Sequence, residues 1–291
     1  MINYYYRIIR NIENILNIFI IVFFKFKYIF FKDTPYPKIA KTDTIVLLGN
    51  GPSLAEDFES ILQEKQNAVK IMAVNLSIFS DFFDVVKPDF YILQDPAFFR
   101  SDVEEKVIEI QKSLVTAFIN KVTWKMNLIV PPLARKNDIF NKISDNKNIN
   151  LYYRKTIPII GGTNEFNNFL FKNNLASPLA QNVLIGALFE SLQMGFKNII
   201  IYGADHSWHE NYSLGADNIL YTEDRHFYDK DKKNLKPHID EYGVPVRVHE
   251  EFFNLYRAFR IYDSLFFYAK KISANVINKS SKTWIDVFPR K

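Results

Sequence analysis

The feature of this sequence that most restricts its fold is a short apolar run that enters a glycine-rich turn. Residues 45–48 are aliphatic, and the five residues that follow are Gly49, Asn50, Gly51, Pro52 and Ser53. This pattern predicts a buried strand, a tight turn and a helix from about Leu54, with Ser53 as its cap. Such a turn presents backbone N–H groups at a helix start, which suits a phosphate or a ribose. Any tight strand-to-helix connection also favours glycine, so a purely structural role stays open.

Apolar runs and polar breaks alternate along the rest of the chain. Further strands are predicted at residues 70–74, 89–93, 115–119, 127–130, 150–153, 198–202 and 274–277. A helix is predicted over Val183–Met194, with Asn182 as its N-cap and Gly195 as its stop. Strands that alternate with helices indicate a Rossmann-like α/β fold, with a mostly parallel sheet and helices on both faces.

Polar residues stand where the predicted strands end, which is the edge at which open parallel sheets bind ligands. The candidates for nucleotide binding are Gly49, Asn50, Gly51, Pro52, Ser53, Asn75, Asp95, Gln181, Asn182 and Gly203. The turn is not the dinucleotide fingerprint, because no glycine follows Gly51 by three residues and Pro52 interrupts the pattern. NAD is therefore disfavoured, and for Asn182 a simple capping role remains the alternative.

All five histidines lie between positions 206 and 249. One hypothesis is a metal site, and its candidate ligands are Asp205, His206, His209, Glu210 and His226. The other is a polar active-site segment in which histidine transfers protons and hydroxyls such as that of Tyr228 bind phosphate. The spacing of His206 and His209 is less favourable than the i, i+4 spacing of zinc helices, and the chain has no cysteine. We therefore favour the second hypothesis and expect no metal.

The N-terminal segment carries most of the net charge of +5. Residues 1–43 hold seven Lys and Arg against three Asp and Glu, which leaves 30 against 29 in the rest of the chain. No basic face for nucleic acid is implied. Residues 1–33 are too often interrupted by charge to span a bilayer, and their aromatic and basic composition predicts a helix on an anionic membrane surface. The alternative is a helix packed on its own domain or on another copy of the chain. Residues 34–43, with two prolines, are predicted to link it to a domain over 44–291.

Several of these motifs together resemble bacterial sialyltransferases that modify lipooligosaccharide, and the related motility-accessory-factor glycosyltransferases, which transfer nonulosonic acids to flagellin. The motifs are GNGPSL, Asn75 after the second strand, Asp95 before Pro96, GFKNIIIYGAD, and the histidine segment before a long helix. The resemblance covers roughly residues 44–290. It implies a CMP-activated acidic sugar as donor, a glycan acceptor, inversion at the anomeric carbon, no cofactor, and a cytoplasmic position at the inner membrane.

The resemblance also implies roles for individual residues. The turn 49–53 and Asn75 would hold the nucleotide, and His249 before the C-terminal helix would be the general base. Histidine suits this task because an unperturbed pKa near ~6.5 leaves much of it neutral at pH 7. Asp205 and His206 are expected to shape the catalytic cleft and contact the acceptor. The expected phosphate or acceptor contacts are His226, Tyr228 and Arg247.

This sequence departs from the family pattern in ways that leave the exact donor open. Gln181 and Asn182 stand where the family has Ser/Thr-Gly, and Asp95 replaces its asparagine. An alternative function uses the same turn without glycosyl transfer. It is a nucleotide- or pterin-phosphate-binding protein, either diphosphokinase-like or a nonenzymatic assembly factor.

Overall fold

The computed structural model describes residues 2–37, 43–67, 69–223, 235–240 and 243–290. The helices are α1 (Ile2–Lys27), α2 (Phe58–Gln66), α3 (Asp81–Val86), α4 (Glu105–Lys121), α5 (Asp138–Asn141), α6 (Asn164–Lys172), α7 (Val183–Met194) and α8 (Val248–Lys271). The strands are β1 (Thr44–Leu48), β2 (Lys70–Val74), β3 (Phe90–Ile92), β4 (Met126–Val130), β5 (Ile149–Tyr153), β6 (Pro158–Ile159), β7 (Ser177–Pro178), β8 (Asn198–Tyr202), β9 (Ser213–Leu214), β10 (Leu220–Thr222), β11 (Lys236–Pro237) and β12 (Asn275–Asn278).

Seven of these strands form one parallel sheet in the order β12-β8-β1-β2-β3-β4-β5. From β1 the chain moves outward through β2 to β5, and it then returns to β8 on the other side of β1. The strand order therefore reverses between β1 and β8, and this switch point is where sheets of this kind bind ligands. The Rossmann-like α/β fold predicted from the sequence is confirmed.

Burial on both faces of the sheet explains why its strands are almost continuously apolar. In β1, Ile45 and Leu47 face one apolar cluster, which includes α7 and α8. Val46 and Leu48 face the opposite cluster, where Leu54 and Ile61 cover the sheet. α7 is buried along most of its length because it lies between the sheet and its helical neighbours. The central strands and α7 therefore hold the switch point rigidly.

Most predicted elements are present, and two predictions need correction. Residues 115–119 lie inside α4 and are not a strand. Its buried residues Gln111, Leu114, Val115 and Phe118 follow the three- and four-residue spacing of a helix, so a short apolar run there mimicked a strand. The helix expected from Leu54 is a 3₁₀ turn over Pro52–Ala55, and α2 begins only at Phe58.

α1 is fastened to the domain by polar side chains in its first half, and further along Ile21 joins the main apolar cluster with Phe24 packed against that cluster. The Asn17 amide is fully buried, donates to the Gly161 carbonyl at 2.9 Å and accepts from the Ile160 N–H at 3.1 Å. The Glu13 carboxylate accepts from Arg260 of α8 at 2.7 Å. Through these contacts the helix packs on its own domain with polar residues.

The apolar side of α1 faces outward. Its exposed apolar residues include Ile8, Ile12, Ile15, Ile18, Phe19, Val22, Phe23 and Phe26. The usual arrangement of an amphipathic helix on a globular domain is the reverse, with the apolar stripe against the core. None of the described helices is long and apolar enough to cross a membrane.

The residues after α1 are bonded to the domain and do not form a free linker. The Thr34 N–H donates to the Tyr153 carbonyl at 3.0 Å, and the Tyr153 N–H donates to the Thr34 hydroxyl at 3.1 Å. The Tyr36 hydroxyl donates to the Glu190 carboxylate at 2.6 Å. The predicted linker 34–43 therefore begins as part of the domain, and its residues 38–42 lie outside the described part.

Candidate functional site

A cleft of about 480 Å³ opens at the carboxyl ends of β1 and β8, at the switch point of the sheet. Most of the residues nominated from the sequence line it, and they are Gly49, Asn50, Gly51, Pro52, Ser53, Asn75, Gln181, Asn182, Gly203, Asp205 and His206. His226 and Tyr228 lie outside the described residues. Asp95, Arg247 and His249 are described, but they do not line the cleft.

Asp205 fastens the glycine turn to the end of β8. Its carboxylate accepts from the Ser53 N–H at 3.1 Å and from the Ser53 hydroxyl at 2.6 Å. The residue is 4% exposed, and burial raises the pKa of its carboxyl above the usual value. A methyl group at Gly51 would lie 2.0 Å from this carboxylate and 2.8 Å from the Gly203 carbonyl oxygen. Asp205 is therefore a positioning residue, and Gly51 is glycine because the two segments touch.

The backbone N–H groups of the turn are largely occupied, which corrects the prediction of a phosphate cradle there. The Gly49 N–H donates to the Tyr202 carbonyl at 2.8 Å, and the Gly51 N–H donates to the Gly203 carbonyl at 2.9 Å. The Ser53 N–H is bound by Asp205, and Pro52 has no N–H. The N–H groups that would bind a phosphate are therefore already bonded to the end of β8. A phosphate in the cleft would have to be bound by other groups.

Three amide side chains of the cleft carry buried polar atoms without a hydrogen-bond partner among the described residues. They are Asn50 Oδ1, Asn75 Oδ1 and Asn182 Nδ2. An unsatisfied buried polar atom costs about 1–3 kcal/mol, so a cluster of them in a cleft is typical of a site completed by a ligand. Asn75 also has a left-handed backbone, with φ of 45°. These three side chains line the cleft, and their unpartnered atoms are two acceptors and one donor.

A chain of hydrogen bonds fixes the tautomer of His206. Asn182 Oδ1 accepts from the Ile185 N–H at 3.2 Å, which confirms Asn182 as the cap of α7, and from the Tyr262 hydroxyl at 3.1 Å. The single proton of Tyr262 is thus used, so His206 Nε2, at 2.8 Å from that hydroxyl, must be the donor. Burial lowers the pKa of His206 to about 3. His206 is therefore a neutral imidazole at physiological pH, with its lone pair on Nδ1.

The buried His206 predicts a pH dependence of stability. Between about pH 3 and pH 6.5 the unfolded chain binds a proton at this residue that the native state does not. Stability from this group therefore falls as pH decreases below ~6.5, by ~1.4 kcal/mol per pH unit. In His206→Asn, chosen because asparagine tolerates the φ of 51°, we expect this part of the slope to vanish.

Urea unfolding at a series of pH values between ~4 and ~6.5 measures this slope. The matched control is His249→Asn, because His249 is exposed and its substitution should leave the slope of the parent almost unchanged. Equal slopes for the parent and His206→Asn would contradict a neutral buried imidazole.

Three nominated residues serve the starts of helical segments instead of the cleft. Asp95 is exposed, and its carboxylate accepts from the Ala97 N–H at 2.9 Å as a cap. The Arg247 N–H donates to the Glu250 carboxylate at 2.8 Å where α8 begins, and His249 is exposed in the first turn of that helix. All three therefore lie at the starts of helical segments and outside the lining of the cleft.

Sequence reasoning missed a second histidine site, whose members His238, Tyr212 and Glu251 lie outside the lining of the cleft. His238 Nε2 lies 2.9 Å from a Glu251 carboxylate oxygen, and the Tyr212 hydroxyl donates to the other oxygen at 2.5 Å. Glu251 is 8% exposed, and Tyr212 directly follows Asn211, which lines the cleft. The sequence gives no signal for this cluster, because its three members come from separate elements. Lys282 also lines the cleft and pairs with Glu210.

The metal hypothesis concerns the histidines of the same region. His206 Nε2 is bonded to Tyr262, and the His209 ring lies against Trp284 with centroids 4.3 Å apart. In the part of the chain that is described, no three His, Asp or Glu side chains are placed together to hold a metal ion. His226, the third histidine of that hypothesis, lies outside this part.

No protein-family model matches this chain, and no curated protein matches it in sequence. Among solved structures, the chain is similar to the MAf glycosyltransferase from Magnetospirillum magneticum AMB-1, with a TM-score of 0.46 and 15% sequence identity. The likeness covers 89% of this chain and 35% of the other, so the chain spans about a third of that protein's length.

Proposed function

We propose that the protein is a glycosyltransferase that moves an acidic, sialic-acid-like sugar from a CMP-activated donor to a hydroxyl of a cell-surface glycan. The observation that carries the proposal is the cleft at the switch point, where buried amide atoms of Asn50, Asn75 and Asn182 lack partners. Its volume of about 480 Å³ is within the usual range for small-molecule sites. The CMP-sugar itself is inferred from the sequence motifs.

The amide groups and α7 are proposed to bind different parts of the CMP-sugar. Cytosine and ribose carry N–H and O–H donors, for which the free oxygens of Asn50 and Asn75 are suitable acceptors. The start of α7, where Val183 and Leu184 line the cleft, offers the positive end of a helix to the phosphate. Lys282 is the one cation among the described lining residues, since His206 is neutral. We assign the phosphate to the start of α7, where charge develops on the departing group, because Lys282 is paired with Glu210.

The reaction needs a base for the acceptor hydroxyl. That oxygen forms a bond to the anomeric carbon while the bond from this carbon to the phosphate oxygen breaks, and CMP leaves with the bonding pair. The hydroxyl proton passes to a histidine. We assign this role to His238 and no longer to His249, because the Glu251 carboxylate orients the His238 imidazole as general bases are oriented elsewhere.

Nucleotide binding tests the proposal. We expect CMP to raise the melting temperature of the parent more than UMP, GMP or AMP does, since a ligand at about 100 times its Kd stabilises by ~2.7 kcal/mol. Asn50→Ala should lose this stabilisation while melting normally without ligand. The matched control is Asn150→Ala, at an exposed position of β5. A CMP response that survives in Asn50→Ala would contradict the assignment.

We further propose that α1 holds the protein on the cytoplasmic face of an anionic membrane. The supporting observations are the outward apolar side chains of the helix and the nearby cations Arg7, Lys25, Lys27 and Lys32. Apolar and aromatic side chains insert at the lipid boundary while Lys and Arg reach the headgroups. The polar contacts to the domain leave this apolar face free to do so.

A double substitution on this face tests the membrane proposal. Phe19 and Phe23 are 69% and 64% exposed, so Phe19→Asp with Phe23→Asp should not disturb the core. We expect sedimentation with vesicles rich in phosphatidylglycerol to be lost, because two carboxylates replace inserted rings. The control is Phe79→Asp, another exposed phenylalanine, at 42%. Vesicle binding that is unchanged by the double substitution, or lost equally in the control, would contradict the proposal.

A further inference from the structure

A second cavity of about 460 Å³ lies between the end of α1 and the carboxyl ends of β3 and β4. Its walls are mainly apolar and include Phe24, Tyr28, Ile129, Pro132, Leu133 and Leu179. In the nucleotide cleft, by contrast, polar and apolar groups contribute about equally to the lining. A cavity of this character suits a ligand with a substantial apolar part.

The charged groups around this cavity leave an excess of positive charge. Arg154 lies with its Nε 3.4 Å from the Glu190 carboxylate, both residues are buried, and the two charges offset each other. Lys27 and Lys136 also line the cavity, are exposed, and have no acidic partner among the described residues. Gln94 adds a buried side-chain oxygen without a partner. The site therefore combines apolar walls with two cations available to an anion.

The position of the cavity connects the outer face of α1 with the nucleotide cleft. Phe24, Lys27 and Tyr28 line it, while Phe26 and Phe30 beside them in the chain are 71% and 98% exposed. On its inner side, Leu179 and Ala180 line this cavity, whereas the next residues, from Gln181, line the nucleotide cleft. One short segment thus separates the two cavities.

We propose that this second cavity binds the phosphate-bearing end of a lipid, with the phosphate at Lys27 and Lys136 and the first part of the chain against the apolar walls. Ammonium groups are suited to phosphate as point charges, and the apolar walls favour a lipid over a free phosphate. The lipid enters from the bilayer side, next to the exposed end of α1. We further assign the glycan acceptor to this lipid, and this step rests on the proposed function. The acceptor would then reach the CMP-sugar across the segment of residues 179–182, which separates the two cavities.

A water-soluble lipid phosphate tests the site with the full chain. The probe is dihexanoyl phosphatidic acid below its micellar concentration, titrated calorimetrically beside inorganic phosphate and dihexanoyl phosphatidylcholine. We expect the phosphatidic acid to bind at least about tenfold more tightly than either of the others, since it alone has both phosphate monoester charge and acyl chains. Equal binding of inorganic phosphate would show a simple anion site and overturn the proposal, as would no binding of the phosphatidic acid.

Charge reversal locates the site. Lys27→Glu with Lys136→Glu should weaken binding of the phosphatidic acid by about tenfold or more, because attraction becomes repulsion at both positions. The matched control is Lys112→Glu with Lys142→Glu, which makes the same charge change at exposed lysines outside the cavity. An equal loss in the control pair would overturn the proposal. CMP binding measured on the same samples separates the two proposals, since loss of lipid binding with CMP binding intact rejects only the lipid site.

Discussion

Gly51→Ala is expected to abolish nucleotide binding and to lower the free energy of unfolding by about 1–3 kcal/mol. The new methyl group would lie 2.0 Å from an Asp205 carboxylate oxygen and 2.8 Å from the Gly203 carbonyl oxygen. The carboxylate must move, which breaks its two bonds to Ser53 and leaves a buried acid without these partners. Gly203 follows β8 in the middle of the sheet, so its backbone cannot retreat. Urea unfolding and CMP titration of the variant measure the two effects.

A double-mutant cycle shows whether the clash with Asp205 is the cause. Asp205→Ala alone should also destabilise the protein, since the Ser53 N–H and hydroxyl lose their acceptor. If the methyl group and the carboxylate compete for one space, the pair Gly51→Ala with Asp205→Ala costs less than the two single changes added together. Strict additivity would contradict the contact between these two residues.

The switch point could be predicted from the sequence because a glycine directly follows the apolar run of each of its two strands. The run before Gly49 and the run before Gly203 are apolar, buried on both faces and interrupted by glycine, so both turns were placed correctly. Their mutual contact could not be predicted. The Gly51 N–H donates to the Gly203 carbonyl because β1 and β8 are neighbours in the sheet. This pairing joins residues about 150 positions apart and is not visible in the local sequence.

The two faces of α1 show another limit of sequence. The spacing of its residues predicts an amphipathic helix, but a spacing does not say which side meets the domain. Hydrogen bonds determine which side meets the domain. Glu13, Asn14 and Asn17 bond to the Arg260 guanidinium and to the backbone of residues 160–163. Those groups come from elements more than a hundred positions away.

The choice of base could not be made from the sequence for a related reason. His249 was expected just before the long helix, but it is exposed in the first turn of α8. His238, which directly follows β11, meets Glu251 of α8 only in the folded chain. Histidine chemistry depends on the group that holds the other ring nitrogen, and that group is a tertiary contact.

His238→Gln is expected to lower turnover by roughly 10²–10⁴-fold with CMP binding unchanged, because a general base acts on the transition state and contributes little to donor binding. Glu251→Gln should give a smaller loss and shift the pH profile of kcat, since it changes the hydrogen bond that orients the imidazole. His249→Gln is the control and should remain within a few-fold of the parent. A larger loss for His249→Gln than for His238→Gln would return the role to His249.

Release of free nucleotide from activated sugars, measured with CMP-N-acetylneuraminic acid, a UDP-sugar and a GDP-sugar, tests the central claim most directly. We expect the parent to release CMP from the CMP-sugar with a lipid-linked or soluble glycan present, at a rate unaffected by EDTA and reduced in Asn50→Ala and His238→Gln. Release from the UDP- or GDP-sugar alone, or activity that EDTA abolishes and zinc or manganese restores, would contradict the account. Tight binding of CMP without release from any of the three would instead identify a nonenzymatic nucleotide-binding protein.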